Sequence, residues 1–472
     1  MLSLPAAALA DDRPKFTAGA PGIGDPYFPQ SGNGGYDVRR YDLEVGYDPA
    51  TDVLTGEATI TATATHNLSR FNLDLDGMEV RSVNVDGRDV RWRRDGQELT
   101  VTPAEGLKKD RRFEVAVTYD GVPRTFESDL LGTSGFMHTD DGAIVAGEPH
   151  AAAMWFPVND HPVDKAAYTI EVTVPQGLEA ISNGVLTGSA TREGWTTWMW
   201  RAREPMAPYL TVLAVGEFDV REYTTDGLRY WDAVDPDLLD EDNRGRGSIE
   251  PSGAVIEASL DSQPDLIAFL EELFGPYPFE AAGAIVDDRE LEFALETQTR
   301  PIYGPAIFSE EMSAKAVVVH ELAHQWVGNL LRVRDWRHMW LNEGFATYTE
   351  WLWVEEEGVI TAQEIFDEIS ALPPDDPFWH VTIGDPGADL MADVSVYQRG
   401  AMTLHGLRTE VGDDVFFDIL HEWISDQRGS RVSTAEFTKL AERVSGKELD
   451  DFFEMWLFTA EKPSVLGGAR EG

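Results

Sequence analysis

Hydrophobic and polar positions divide this chain into two halves with different periods. From residue 36 to about 222, apolar and polar residues alternate over short stretches, as in Glu57-Ala-Thr-Ile-Thr-Ala-Thr-Ala-Thr65 and, less strictly, over 167–174. A period of two puts one face of a strand against a core. Asp-Gly pairs punctuate the same region at 76–77, 86–87, 95–96, 120–121 and 141–142, which is the turn chemistry of tight hairpins. The pattern predicts an antiparallel, all-β domain over residues 36–225.

Beyond Ser252 the period becomes helical. Apolar residues recur at i, i+3, i+4 over 256–274, 313–331, 342–357, 396–411, 415–424, 433–444 and 452–457, and each stretch predicts a helix with one buried face. Gly358, Gly412 and Gly446 stand where helices stop, and Ser433 with Glu436 forms an N-terminal cap signature. Residues 281–303 read as short strands between helices. The second half, 226–472, is therefore expected to be helix-rich around a small sheet. The acidic stretch 232–251 is either a linker or a surface excursion of that half. Residues 11–35, rich in Gly, Pro and Asp, are expected to be an extended lead-in with little structure of their own.

Charge narrows the function. The chain has 472 residues with 38 Lys+Arg against 84 Asp+Glu, a net charge of −46. Such a surface repels phosphate backbones and anionic membranes, so nucleic acid is not expected as a partner. Only eight of the basic residues are lysines. An acidic, Lys-poor surface suits solubility in high salt, where screening removes self-repulsion. Oligomeric state is not readable from these features. With no cysteine, disulfides, thiolate metal sites and cysteine nucleophiles are absent. No apolar run reaches the ~18 residues of a membrane span. Residues 2–9 are apolar, and Ala8-Leu9-Ala10 precedes Asp11-Asp12. Residues 1–10 are accordingly expected to be the remnant of a secretory signal, lacking its basic start, on a secreted protein.

The candidate chemistry lies in the second half. His320-Glu321-Leu-Ala-His324 sits in a helical stretch, and i, i+4 spacing projects both imidazoles from one face. Asn342-Glu343-Gly344 opens the next helix, with Glu343 nineteen residues after His324. A carboxylate there completes a His₂Glu zinc site with its fourth position open to water. Such an open site acidifies water and polarises a carbonyl, and needs a nearby carboxylate to move protons. Glu321 fits that role.

These motifs carry a resemblance. The run His320-Glu-Leu-Ala-His-Gln-Trp-Val-Gly-Asn329 with Trp340-Leu-Asn-Glu-Gly-Phe-Ala346 resembles the aminopeptidase N family of gluzincin metallopeptidases. Thermolysin-type enzymes usually carry Asp four residues after the ligand Glu, where this chain has Thr347. Val396-Tyr397-Gln398-Arg399-Gly400-Ala401 is similar to the family's Tyr-x-Lys-Gly-Ala segment, with Arg for Lys, and implies Tyr397 as oxyanion stabiliser. Phe293-Ala294-Leu295-Glu296-Thr297 stands where the family has Gly-Ala-Met-Glu-Asn, and implies Glu296 as an anchor for the substrate α-ammonium. Gly147-Glu148-Pro149, Trp155-Phe156-Pro157 and Asp160-His161-Pro162 resemble a stretch of the family's β domain, and imply Glu148 as a second amine ligand. Glu350 is read as support or packing rather than as a catalytic group.

The resemblance implies a saddle-like N-terminal β domain followed by a thermolysin-like, mostly helical catalytic domain. Nine residues follow Pro463, so the long C-terminal helical domain of larger members is expected to be missing and the cleft open. The implied activity is a zinc aminopeptidase with one Zn²⁺ held by His320, His324 and Glu343. Glu321 would be its general base and acid, and its substrates would be peptides with a free N-terminus. A zinc endopeptidase or broad oligopeptidase is the alternative. A non-catalytic scaffold is the third reading.

Overall fold

The computed structural model describes residues 15–128, 132–239 and 251–464. The expected signal remnant, residues 1–10, lies outside them. The alternating half forms three sheets. The largest has eight strands in the order Val185–Arg192, Trp195–Met206, Ala166–Pro175, Tyr36–Asp48, Val53–Ala64, Arg112–Gly121, Glu79–Val85, Arg88–Asp89. In Tyr36–Asp48 the residues Val38, Tyr41, Leu43, Val45 and Tyr47 face the core. A register shift between Val38 and Arg40 leaves Arg39 and Arg40 both exposed, as a bulge does when one extra residue enters a strand.

The pairing is not purely antiparallel. Ala166–Pro175 lies parallel to Tyr36–Asp48, which corrects the expectation from pattern. Side-chain alternation has a period of two in either pairing, so it carries no information on strand direction. Asp86-Gly87 turns with φ positive at both residues, the mirror-image hairpin turn. The same conformation occurs at Glu193-Gly194 and Asp226-Gly227. The Asp226-Gly227 turn joins Asp219–Thr225 to Leu228–Val234. Both strands belong to the sheet of the second half, so the division expected at 225/226 cuts a hairpin and that sheet begins at Asp219.

That sheet runs Asp219–Thr225, Leu228–Val234, Ala281–Val286, Ile302–Tyr303, Ala294–Leu295. Its edge strand, Ala294–Leu295, delivers Glu296 to the site. Helices cover it largely as predicted, with three differences. The stretch 256–274 breaks into Gly253–Asp261 and Gln263–Phe274, because Pro264 lacks an N–H to continue the first helix. The helix bearing His320 ends at Ala323, and residues 324–331 continue as turns. Ala362–Ser370 is a helix not expected from periodicity, held at its start by a reciprocal Thr361–Glu364 capping box. Among the described residues no helix is long and apolar enough to cross a membrane.

The lead-in is more structured than its composition implies. Thr17–Ala18 pairs with Leu68–Asp74. Asp25 is buried and accepts the backbone N–H groups of Tyr27, Phe28 and Trp336. Its Oδ2 also lies 3.1 Å from His161 Nε2. Gly and Pro set turns here, but buried partners on both halves fix them.

Candidate metal centre and active site

His320 lies in the last turn of the Glu311–Ala323 helix, and His324 caps its end. Glu343 lies in the first turn of the Trp340–Glu356 helix packed beside it. The two Nε2 atoms are 3.1 Å apart, and Glu343 Oε2 is 3.3 Å from one and 3.4 Å from the other. Tetrahedral zinc with ligands at ~2.0–2.1 Å holds its donors about 3.3–3.4 Å apart. The triangle therefore fits Zn²⁺ in size as well as in donor chemistry. Behind it, His320 Nδ1 is 2.5 Å from Glu350 Oε1, and His324 Nδ1 is 3.0 Å from the Val327 carbonyl. Both imidazoles thus donate outward from Nδ1 and present a bare Nε2 to the metal.

Four carboxylates converge here. Glu148, Glu296, Glu321 and Glu343 are each at most 5% exposed, and among the described residues no Lys or Arg pairs with any of them. Burial raises Glu148 well above the usual carboxylate range, and the like charges of Glu296, Glu343 and Glu321 add to it. Burial lifts Glu321 to about 8 against the pull of His320 and His324. Burial acts on Glu343 in the same direction, yet the two histidines hold it down at about 2. His324, which burial alone would lower, is raised to about 9 by Glu343 and Glu296. Fully ionised, the four carboxylates would outnumber the two imidazoles in a desolvated space, which is why Glu148 and Glu321 are pushed toward their protonated forms. Such a space is completed by cations: a divalent metal at the triangle and a further positive group beside it.

The other predicted residues enclose the same space. Tyr397, near the start of the Val394–Val411 helix, stacks on His320 at 6.0 Å between ring centroids. Burial first, then Glu343 and Glu148, keep its phenol protonated and a donor. Glu296 arrives from the edge strand, and its backbone carbonyl accepts from Asn329 Nδ2 at 2.7 Å. Glu148 arrives from the β half, and its Oε1 is buried with no protein partner. Domain docking therefore completes the site. Thr299 adopts φ 68, a conformation β-branched residues rarely take. Two hydrogen bonds hold it there: one across the domain joint, from Gly184 N–H to its Oγ1 at 2.7 Å, and one within the second half, from its own N–H to Gln325 Oε1 at 2.9 Å.

Sequence reasoning missed Tyr209, whose hydroxyl donates to Glu296 Oε1 at 3.0 Å. No motif marks it. Gln325 and Asn329 lie inside the quoted motif, but their work on the Glu296 segment appears only in three dimensions.

Residues 260–456 match the family model described as the Peptidase family M1 domain, and residues 38–210 match the Peptidase M1 N-terminal domain. Glutamyl aminopeptidase of Sus scrofa is 25% identical over 88% of this chain and 46% of its own length. Probable aminopeptidase 2 of Sulfurisphaera tokodaii is 24% identical over 91% of this chain and 54% of its own. The chain thus spans about half the length of these curated relatives. The crystal structure of an M1 zinc metallopeptidase from Deinococcus radiodurans superposes with a TM-score of 0.81 at 30% identity, covering 95% of this chain and 100% of that one. A mutant of that enzyme bound to a Tyr-Ser-Ala substrate superposes with a TM-score of 0.80 at 30% identity, over 94% and 98% of the two chains. Family models that account for both halves, and a zinc metallopeptidase matched along its whole length, establish that this chain belongs to peptidase family M1.

Proposed function

We propose that this chain is a zinc-dependent aminopeptidase that removes N-terminal residues from peptides. The observation that carries the reading is the pair Glu148 and Glu296, buried beside the metal triangle with no basic partner among the described residues. A desolvated ammonium must be paired with fixed negative charge, and these two carboxylates supply it. Pinning the N-terminus at a fixed distance from the metal selects the first peptide bond. The substrate-bound relative supports this reading, since its Tyr-Ser-Ala ligand is a short peptide.

When bound at His320, His324 and Glu343, Zn²⁺ supplies Lewis-acid chemistry, polarising a carbonyl and acidifying water. The protein's own groups do the rest. Glu321 accepts the proton of the attacking water on its carboxylate and hands it to the nitrogen that departs. The Tyr397 hydroxyl donates a hydrogen bond to the carbonyl oxygen as negative charge develops there. Glu148 and Glu296 hold the free amine throughout.

The test compares two fluorogenic peptides, identical except that one is N-acetylated, with and without a zinc chelator. Chelator-sensitive cleavage of the free-amine peptide alone is expected. Equal cleavage of both would replace this reading with an endopeptidase or oligopeptidase. Stoichiometric zinc binding without turnover of either would leave a non-catalytic scaffold.

A further inference from the structure

Glu296 stands among competitors for its attention. The ligand-capable atoms of Glu296, Glu321 and His324 all lie within 4.8 Å of one another. A glutamate with several rotatable bonds would swing toward His324 or the metal unless something held it. Among the described residues its carboxylate has one side-chain partner, the Tyr209 hydroxyl at 3.0 Å. That bond engages Oε1 and fixes the side chain so that the carboxylate faces an incoming ammonium.

Tyr209 comes from the opposite half of the molecule. It sits in the short Pro208–Leu210 turn and is buried. Its ring meets Trp336 edge-on at 5.4 Å, and Trp336 meets Phe28 edge-on at 6.3 Å. The Trp336 backbone N–H donates to Asp25 Oδ2 at 3.0 Å. The lead-in is fastened a second time at Tyr27, whose hydroxyl donates to Asp385 Oδ1 at 2.5 Å and accepts from Gly387 N–H at 2.7 Å. A continuous set of contacts therefore runs from the lead-in, through Trp336 and Tyr209, to the Glu296 carboxylate.

We propose that Tyr209 is the positioning residue of the amine-binding carboxylate Glu296, and that the lead-in at Asp25–Phe28 braces it through Trp336. This rests on the aminopeptidase reading above. Tyr209 touches no reacting atom. Its effect belongs in how tightly and in what register the free N-terminus is held, and not in the proton transfers.

Two variants test it, Tyr209→Phe and Phe28→Ala, assayed on the free-amine and N-acetylated peptides alongside zinc content and thermal melting. Tyr209→Phe keeps the ring and removes only the hydroxyl. It should raise KM for the free-amine peptide about tenfold, the scale of one charged hydrogen bond, while kcat changes less than KM and zinc content stays at one per chain. Phe28→Ala should raise the same KM in the same direction by a smaller factor. An unchanged KM in Tyr209→Phe, with the parent still preferring the free amine, overturns this inference alone. A KM effect in Tyr209→Phe with none in Phe28→Ala overturns the bracing. A parent that cleaves both peptides equally overturns the aminopeptidase reading, and this inference with it.

Discussion

Gly344 and Gly400 touch backbone to backbone where the helix carrying Glu343 crosses the helix carrying Tyr397. A Cβ on Gly344 would lie 2.8 Å from Gly400 Cα, and one on Gly400 would lie 2.7 Å from Gly344 Cα. Each glycine is a neighbour, or near neighbour, of a site residue, so the crossing sets how far the phenol stands from the metal ligands. Gly344→Ala must separate the helices, since the atom it strikes is backbone. The expected cost is about 1–3 kcal/mol of stability, with kcat falling while zinc is retained. Thermal denaturation, metal analysis and kcat on one preparation check this, and an alanine variant with parental melting and turnover would show that the crossing is tolerant.

Glu350 orients His320 without touching the metal. Glu350→Gln keeps the shape and removes the charge that holds the Nδ1 proton. Metal affinity should weaken about 10–100-fold, as read by competition with a chromophoric chelator. Unaltered affinity would mean that the helix packing alone fixes His320.

Arg399, two residues beyond Tyr397, is fully buried and among the described residues has no carboxylate partner. Its guanidinium donates to five carbonyls, those of Trp379, Val381, Met455, Trp456 and Thr459. It ties the Tyr397 helix to the last turns of the described chain. Lysine has three donors where arginine has five, so Arg399→Lys leaves at least two of these carbonyls unmet. A loss of about 1–3 kcal/mol for each buried group left unsatisfied is expected, measurable by denaturant unfolding. A variant as stable as the parent would show that water replaces the missing donors.

Asp164 in the β half is buried, accepting from Val38 N–H and from Asn159. Burial, reinforced by the charge of Asp37, pushes its carboxyl up to about 8, against about 3.9 in an unfolded chain. The folded state therefore keeps a proton that the unfolded state gives up. Its stabilising effect is complete below pH ~3.9 and is lost progressively as pH rises toward 8. Asp164→Asn has no proton to lose. Its melting temperature relative to the parent should become more positive from pH 5 to pH 8, and a difference independent of pH would contradict the assignment.

The local features were legible because each needs only neighbours in sequence. The i, i+4 spacing of His320 and His324, the periods of two and 3.6, and the glycine stops at Gly412 and Gly446 are all set by geometry within a few residues. The spacing of Glu343 after His324 supplied the third ligand, and motif resemblance added Tyr397, Glu296 and Glu148 as expectations. The two-part β-then-helix architecture followed from the change in period.

What escaped is of two kinds, local features that periodicity does not report and relationships between segments distant in sequence. Strand direction between Ala166–Pro175 and Tyr36–Asp48 leaves no trace in alternation. The break before Pro264 and the helix at Ala362–Ser370 are local, yet periodicity alone does not report them. Tyr209, Asp25 and Gly344 acquire their roles only from partners 87, 311 and 56 positions away, at Glu296, Trp336 and Gly400. The sequence by itself determined the donor chemistry and the periods. Tertiary structure decided which donors share a buried space and what braces them, because hydrogen bonds and backbone contacts depend on distances that chain order does not set.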